Sequence, residues 1–138
     1  MTTAVTPVEE RLTRVLGAWA AGCVAAGSAL SIPSRTRGFG RQTAAWGAVD
    51  GLIAWAGARS RARKGPTDPR RLRRVLLVNA GLDVGYVLGG LALVRHGRWA
   101  GDGQAVVVQG AFLLALDSAA AARALRVAPP RPSVDQLS

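Results

Sequence analysis

Charged residues are missing from four long intervals of this chain. Residues 15–34 carry none, and three further intervals carry one acid each: Asp50 within 43–58, Asp83 within 75–94 and Asp117 within 103–122. None of the four shows the charge every three or four residues that a surface helix of a soluble bundle needs for its polar face. Each is apolar nearly all round, and a helical run of roughly 17–25 such residues is the usual membrane-spanning signal. The second run is the shortest and is rich in glycine. The pattern predicts an all-α polytopic membrane protein with four transmembrane helices over 11–32, 40–58, 73–94 and 103–122. Pro33 closes the first helix, and Gly38 and Gly40 bracket the first short turn. Gly97, Gly101 and Gly103 mark the other short turn, and Gly65-Pro66-Thr67-Asp68-Pro69 breaks the central loop.

The chain also matches itself. At an offset of 63 residues, Gly22 falls on Gly85, Gly27 on Gly90, Arg35 on Arg98, Gly38 on Gly101, Gly40 on Gly103 and Gly47-Ala48 on Gly110-Ala111. Across residues 11–63 and 74–126, 15 positions are identical without a gap. Each unit is therefore a helical hairpin. Two helices return the chain to its starting side, so the units are tandem, parallel-related hairpins about a pseudo-two-fold axis along the membrane normal. The first helix is the counterpart of the third, which argues against its being a discarded signal segment.

Small residues repeat in register as well. Ala18, Gly22 and Ala26 correspond to Gly81, Gly85 and Gly89, and Gly47 and Gly51 form a shorter stripe. Lipid gives helices no hydrophobic reason to associate, so small residues are expected to let backbones approach, within the chain or between subunits.

Charge then fixes orientation. The formal net charge is +10, from 18 basic and 8 acidic residues. Two basic residues precede the first run, eight lie in the central loop and three follow the last run, against five in the two short turns. Positive residues stay in the cytoplasm. The expected organisation is a cytoplasmic N-terminal tail (1–10), a transmembrane domain (11–128) and a disordered cytoplasmic C-terminal tail (129–138). The expected location is the bacterial cytoplasmic membrane. Trp19, Trp46, Trp55 and Trp99 read as interfacial anchors. The arginines cluster at the ends of apolar runs rather than along a groove-facing element, so no nucleic-acid partner is expected. The lipid bilayer is the expected partner, with anionic lipid an additional one at the central basic loop.

The acids are the candidate chemistry. A charged carboxylate at the bilayer midplane costs about 3 kcal/mol or more. No Lys, Arg or His lies within the runs to offset that. Each acid must be protonated, hydrogen-bonded to Asn79, Gln109 or Tyr86, or holding a cation. On a helical wheel, Asn79, Tyr86, Gly90 and Asp83 share one face of the third helix, nearly opposite its glycine stripe. That three-faced pattern predicts the third helix to be the most buried. Asp50 and Asp83 are expected at a shared depth, with Asp117 nearer the cytoplasm. The candidate intramembrane polar site is Asp50, Asn79, Asp83, Tyr86, Gln109 and Asp117. The acids do not repeat at the 63-residue offset: Asp83 meets Ala20, Asp50 meets Leu113 and Asp117 meets Ala54. The scaffold is duplicated, and any site on it is asymmetric.

Catalytic signatures are absent from the sequence. One Cys and one His cannot make a zinc centre, and there is neither a phosphate-binding loop nor a nucleophile elbow. No enzymatic activity, cofactor or metal is expected.

The segments Phe39-Gly40-Arg41-Gln42 to Trp46-Gly47-Ala48-Val49-Asp50, Asn79-Ala80-Gly81-Leu82-Asp83-Val84-Gly85-Tyr86 and Gln109-Gly110-Ala111-Phe112-Leu113-Leu114 resemble an uncharacterised family of small four-helix bacterial integral membrane proteins. The resemblance covers residues 11–122 and implies the fold but no activity. Two functions stay open. One is a non-enzymatic structural or binding module held by glycine stripes and intramembrane hydrogen bonds. The other is a proton- or cation-coupled small-molecule carrier or channel using Asp50 or Asp83; four helices are few for a carrier, so it would be a homo-oligomer.

Overall fold

The computed structural model describes residues 6–127, which form four helices: α1 (Thr6–Leu30), α2 (Arg37–Lys64), α3 (Pro69–Arg95) and α4 (Ala100–Val127). The tail expected at 129–138 lies outside the described residues, as does the first half of the one expected at 1–10, whose second half is the start of α1. At 25 to 28 residues each, the helices are about 37–42 Å long at 1.5 Å per residue. They overrun the predicted apolar spans because their charged ends are also helical. Glu9 sits in the first turn of α1, and Arg61, Arg63 and Lys64 in the last turn of α2. Acids at the N-terminal end and bases at the C-terminal end both complement the helix dipole. Gly65, at φ 77°, terminates α2. Asp68 caps α3, its carboxylate accepting from the Arg71 N–H at 3.2 Å, with Pro69 in the first turn where its missing N–H costs nothing.

Two of the four, α3 and α4, are long and apolar enough to cross a membrane. α1 and α2 are long enough, at 25 and 28 residues, but fall outside that class on hydropathy and charge.

The helices pack as two hairpins. α1 runs along α2, α3 runs along α4, and the hairpins meet where α4 touches α2 and, briefly, α1. The backbone of α3 does not come close to that of α1 or α2. The expectation that α3 is the most buried helix is therefore corrected. α4 sits centrally and α3 on the flank, because small residues on α4 (Gly103, Ala105, Gly110, Ala120, Ala121 and Ala124, all buried) let neighbours close on it from several sides.

Close approach within each hairpin rests on glycines, and on different ones from the expected stripes. A Cβ on Gly27 would lie 2.7 Å from the Gly40 carbonyl oxygen, and one on Gly40 2.6 Å from that of Gly27. In the second hairpin a Cβ on Gly90 would lie 2.8 Å from the Gly103 oxygen, and one on Gly103 2.6 Å from that of Gly90. Gly47 faces the Ala20 oxygen and Val24 nitrogen, while Gly110 faces those of Asp83 and Val87. Every one of these pairs is related by the 63-residue offset, so the two hairpins make the same backbone contacts. By contrast Gly22, Gly81, Gly85 and Gly89 have nothing within 4 Å, and Ala18 and Ala26 are exposed. Among the expected packing positions Gly47 is tightly enclosed, and Gly51 makes an ordinary 3.6 Å contact with Ala20. The remaining six do not pack inside the chain, because their stripe lies on the face of α1 or α3 turned away from its hairpin partner.

Buried acids and outward-facing large apolar side chains set these helices apart from a water-soluble bundle. Among the described residues Asp50 is the one large side chain that is fully buried, and Thr43, Asp83, Gln109 and Asp117 are also inside. Leu52, Ile53, Val78, Leu82 and Leu88 face outward, each more than half exposed. A small apolar cluster of Val8, Leu72, Leu76, Ala120, Ala121 and Ala124 closes the end that carries the central loop. There Glu9, 4% exposed, accepts from the Thr67 N–H at 3.2 Å. Arg61 donates to Thr13 Oγ1 at 2.7 Å, tying α2 to α1.

Candidate functional site

The third helix directs Asp83 inward because Leu72, Leu76, Ala80, Asp83 and Gly90 form its buried face. Asp50 projects from the buried face of α2 with Gly40, Thr43, Gly47 and Ala54. Asp117 lies on that of α4. The three acids, from three helices, line one cavity of about 320 Å³. They are 1%, 3% and 9% exposed for Asp50, Asp83 and Asp117. Each of the three carboxyl groups lies near enough to the other two to interact electrostatically. Two carboxyl oxygens, Asp50 Oδ2 and Asp83 Oδ2, are buried and have no hydrogen-bond partner. An unpaired buried acceptor costs about 1–3 kcal/mol, so two in one cavity call for a reason.

The amides and phenol offered by the sequence do not supply it. Gln109 is 2% exposed and sits at the α1–α4 contact instead. Its Oε1 accepts from Trp19 Nε1 at 2.8 Å, and its Nε2 donates to Cys23 Sγ at 3.2 Å. Trp19 also stacks on Phe112, with centroids 3.8 Å apart. Trp19 is therefore a packing residue rather than an interfacial anchor. Asn79 and Tyr86 reach the cavity but are exposed at its rim. Tyr86 meets Trp46 edge-on at 5.2 Å. Trp55 and Trp99 are exposed beside Arg59 and Arg98, each guanidinium over its ring. Trp46 was missed as a site residue, although its position one turn before Asp50 puts both on one face of α2.

The offset explains where the cavity opens. A two-fold relation would make the α1–α4 contact equivalent to an α3–α2 contact. Cys23 and Gln109 correspond to Tyr86 and Trp46, and Trp19 and Phe112 correspond to Leu82 and Val49. On the α1–α4 side the stacked rings and the Gln109 hydrogen bonds lock the helices together. On the α2–α3 side Leu82 and Val49 provide no such lock, and the opening lies beneath the Trp46–Tyr86 pair. The cavity rim there is apolar and exposed: Val49, Ile53, Val75 and Leu82. The other end is lined by Leu12, Leu16, Leu72, Leu76 and Leu113. No basic side chain lines it. Among the described residues no group of three or more His, Cys, Asp or Glu is arranged to hold a metal ion. A larger, shallow groove along α1 and α2 is lined by Gly17, Ala20, Gly47, Gly51 and other small or apolar residues, and neither orphaned oxygen reaches it.

No curated protein and no solved structure matches this chain. A family model does, over residues 15–118, an interval that contains all three acids, both glycine seams and the Trp46–Tyr86 rim. The chain thus belongs to DUF6992, a family of unknown function.

Proposed function

We propose that this protein is a non-enzymatic membrane-embedded binding module whose ligand site is the carboxyl-lined cavity between α2, α3 and α4. All four helices cross the bilayer in this reading, α1 and α2 carried by their hairpin partners and by burial of their acid and amide contacts. The outward-facing apolar side chains support it: lipid solvates exposed Leu, Val and Ile, whereas water would drive such surface together. The basic excess at the terminal and central-loop end supports cytoplasmic termini in a bacterial cytoplasmic membrane.

The observation that carries the reading is the pair of orphaned oxygens, Asp50 Oδ2 and Asp83 Oδ2, on one cavity. Acids serving as inter-helix glue would be spent on helix partners. These are not, and the buried amide Gln109 is engaged elsewhere. Polar groups left unpaired inside a membrane protein are expensive and belong to ligand or ion sites.

The test is the stability of Asp50→Leu without ligand in detergent micelles. Leucine has the branched outline of aspartate and no acceptor, and its larger side chain has the adjoining cavity of about 320 Å³ to expand into. For a ligand site, removing an unpaired acceptor leaves the melting temperature unchanged or raises it, the usual trade between site and stability. For structural glue, the same change removes a satisfied bond and lowers stability by about 1–3 kcal/mol. A drop of that size would overturn the proposal.

A further inference from the structure

Resting on that reading, we propose that the cavity binds a protonated primary amine carried on an apolar body, which enters sideways from the bilayer between α2 and α3. The lining sets the head group. Its buried polar atoms are carboxyl oxygens, acceptors when ionised, and no basic side chain offsets them. A ligand must therefore bring both positive charge and N–H donors. Asp50 Oδ2 and Asp83 Oδ2 are free to accept. A primary ammonium has three donors, enough for both free oxygens. A quaternary ammonium has none and would leave them unpaired. The carboxyls are not arranged around a metal ion, which favours an organic cation. The leucines at the far end and the isoleucine and valines at the rim set the body, which must be apolar. At about 320 Å³ the cavity falls at the small end of ligand pockets. The Trp46 and Tyr86 rings at the rim present π-faces that attract a passing cation.

The route follows from the broken pseudo-symmetry. The interface that would mirror α2–α3 is shut by Trp19 on Phe112 and by Gln109. The α2–α3 side has Leu82 and Val49 at those places, and its apolar rim is exposed. The ligand therefore meets the site from lipid, with its body in the acyl region.

The experiment uses the full chain in nanodiscs and three probes with one alkyl body: n-octylamine, n-octyltrimethylammonium and n-octanoate. Calorimetric isotherms are corrected with protein-free nanodiscs to remove partition into lipid. The expected result is saturable octylamine binding, at least tenfold weaker for octyltrimethylammonium and absent for octanoate. Asp50→Asn, which keeps the fold, weakens octylamine at least tenfold. The double change Leu82→Trp with Val49→Phe transplants the α1–α4 lock onto α2–α3 and abolishes binding. Absent saturable octylamine binding, or octyltrimethylammonium binding as tightly, would overturn the ligand class. A folded double variant that binds octylamine like the unaltered chain would overturn the lateral route. Failure of the ligand class alongside an undiminished melting temperature for Asp50→Leu overturns the amine and leaves the cavity standing as a site. A destabilised Asp50→Leu removes the site itself.

Discussion

Replacing Gly103 by alanine should force α3 and α4 apart. The new Cβ would lie 2.6 Å from the Gly90 oxygen, 2.8 Å from Leu93 Cβ and 2.8 Å from the Val94 nitrogen. Two of these are backbone atoms of a helix and cannot swing aside. Restoring an ordinary 3.4 Å contact needs a local separation of about 0.8 Å. A gap of that order forfeits a quarter to a half of each dispersion contact along the seam, at ~0.1–0.2 kcal/mol per full contact. With the strain of overpacking, the expected loss is about 1–3 kcal/mol. Gly85→Ala is the matched control on the same helix, because its Cβ meets nothing within 4 Å. It should be neutral or gain up to about 1 kcal/mol of helix propensity. Reversible unfolding by SDS titration in mixed micelles, followed by far-UV circular dichroism, measures both. Equal stabilities, or Gly85→Ala the less stable, would refute the assignment of the seam to Gly90 and Gly103.

Gln109→Leu strands the Trp19 N–H and frees the Cys23 thiol from its hydrogen bond. We expect a loss of about 0.5–2 kcal/mol, the range for hydrogen bonds between membrane helices, and faster maleimide labelling of Cys23, which is otherwise buried. Unchanged labelling would argue that the α1–α4 lock does not protect that thiol. Glu9→Ala removes the acceptor that holds the Thr67 N–H, at a local cost of about 1 kcal/mol. Trypsin should then cut the arginine-rich central loop several-fold faster, whereas Glu9→Gln, which keeps an acceptor, should cut at nearly the original rate.

Much was legible in the chain before any contact was known. Four long runs of low charge can only be helices with little polar face, and four helices are what form. The three acids were conspicuous because nothing charged surrounds them in sequence, and all three are buried on one cavity. Asn79 and Tyr86 were selected by sharing a helical face with Asp83, yet both end on the rim. A helical wheel gives angular position and says nothing of how far a neighbouring helix reaches around it. Gln109 is polar within an apolar run, and it serves a different interface.

The glycines mark the boundary between the two kinds of knowledge. Spacing by four made Ala18, Gly22 and Ala26, with Gly81, Gly85 and Gly89, look like packing seams. The glycines that touch backbone, Gly27, Gly40 and Gly47 with Gly90, Gly103 and Gly110, were also visible, as identities across the duplication. Sequence by itself determined the helices and their pairing into related hairpins, because these depend on local periodicity and on comparison of the chain with itself. Tertiary structure alone decided which face each helix turns to its partner, that α4 is central, and that α2 and α3 stay apart over the acids. Those outcomes depend on interdigitation between helices distant in sequence, where one stacked Trp19–Phe112 pair closes one side and its Leu82–Val49 counterpart leaves the other open.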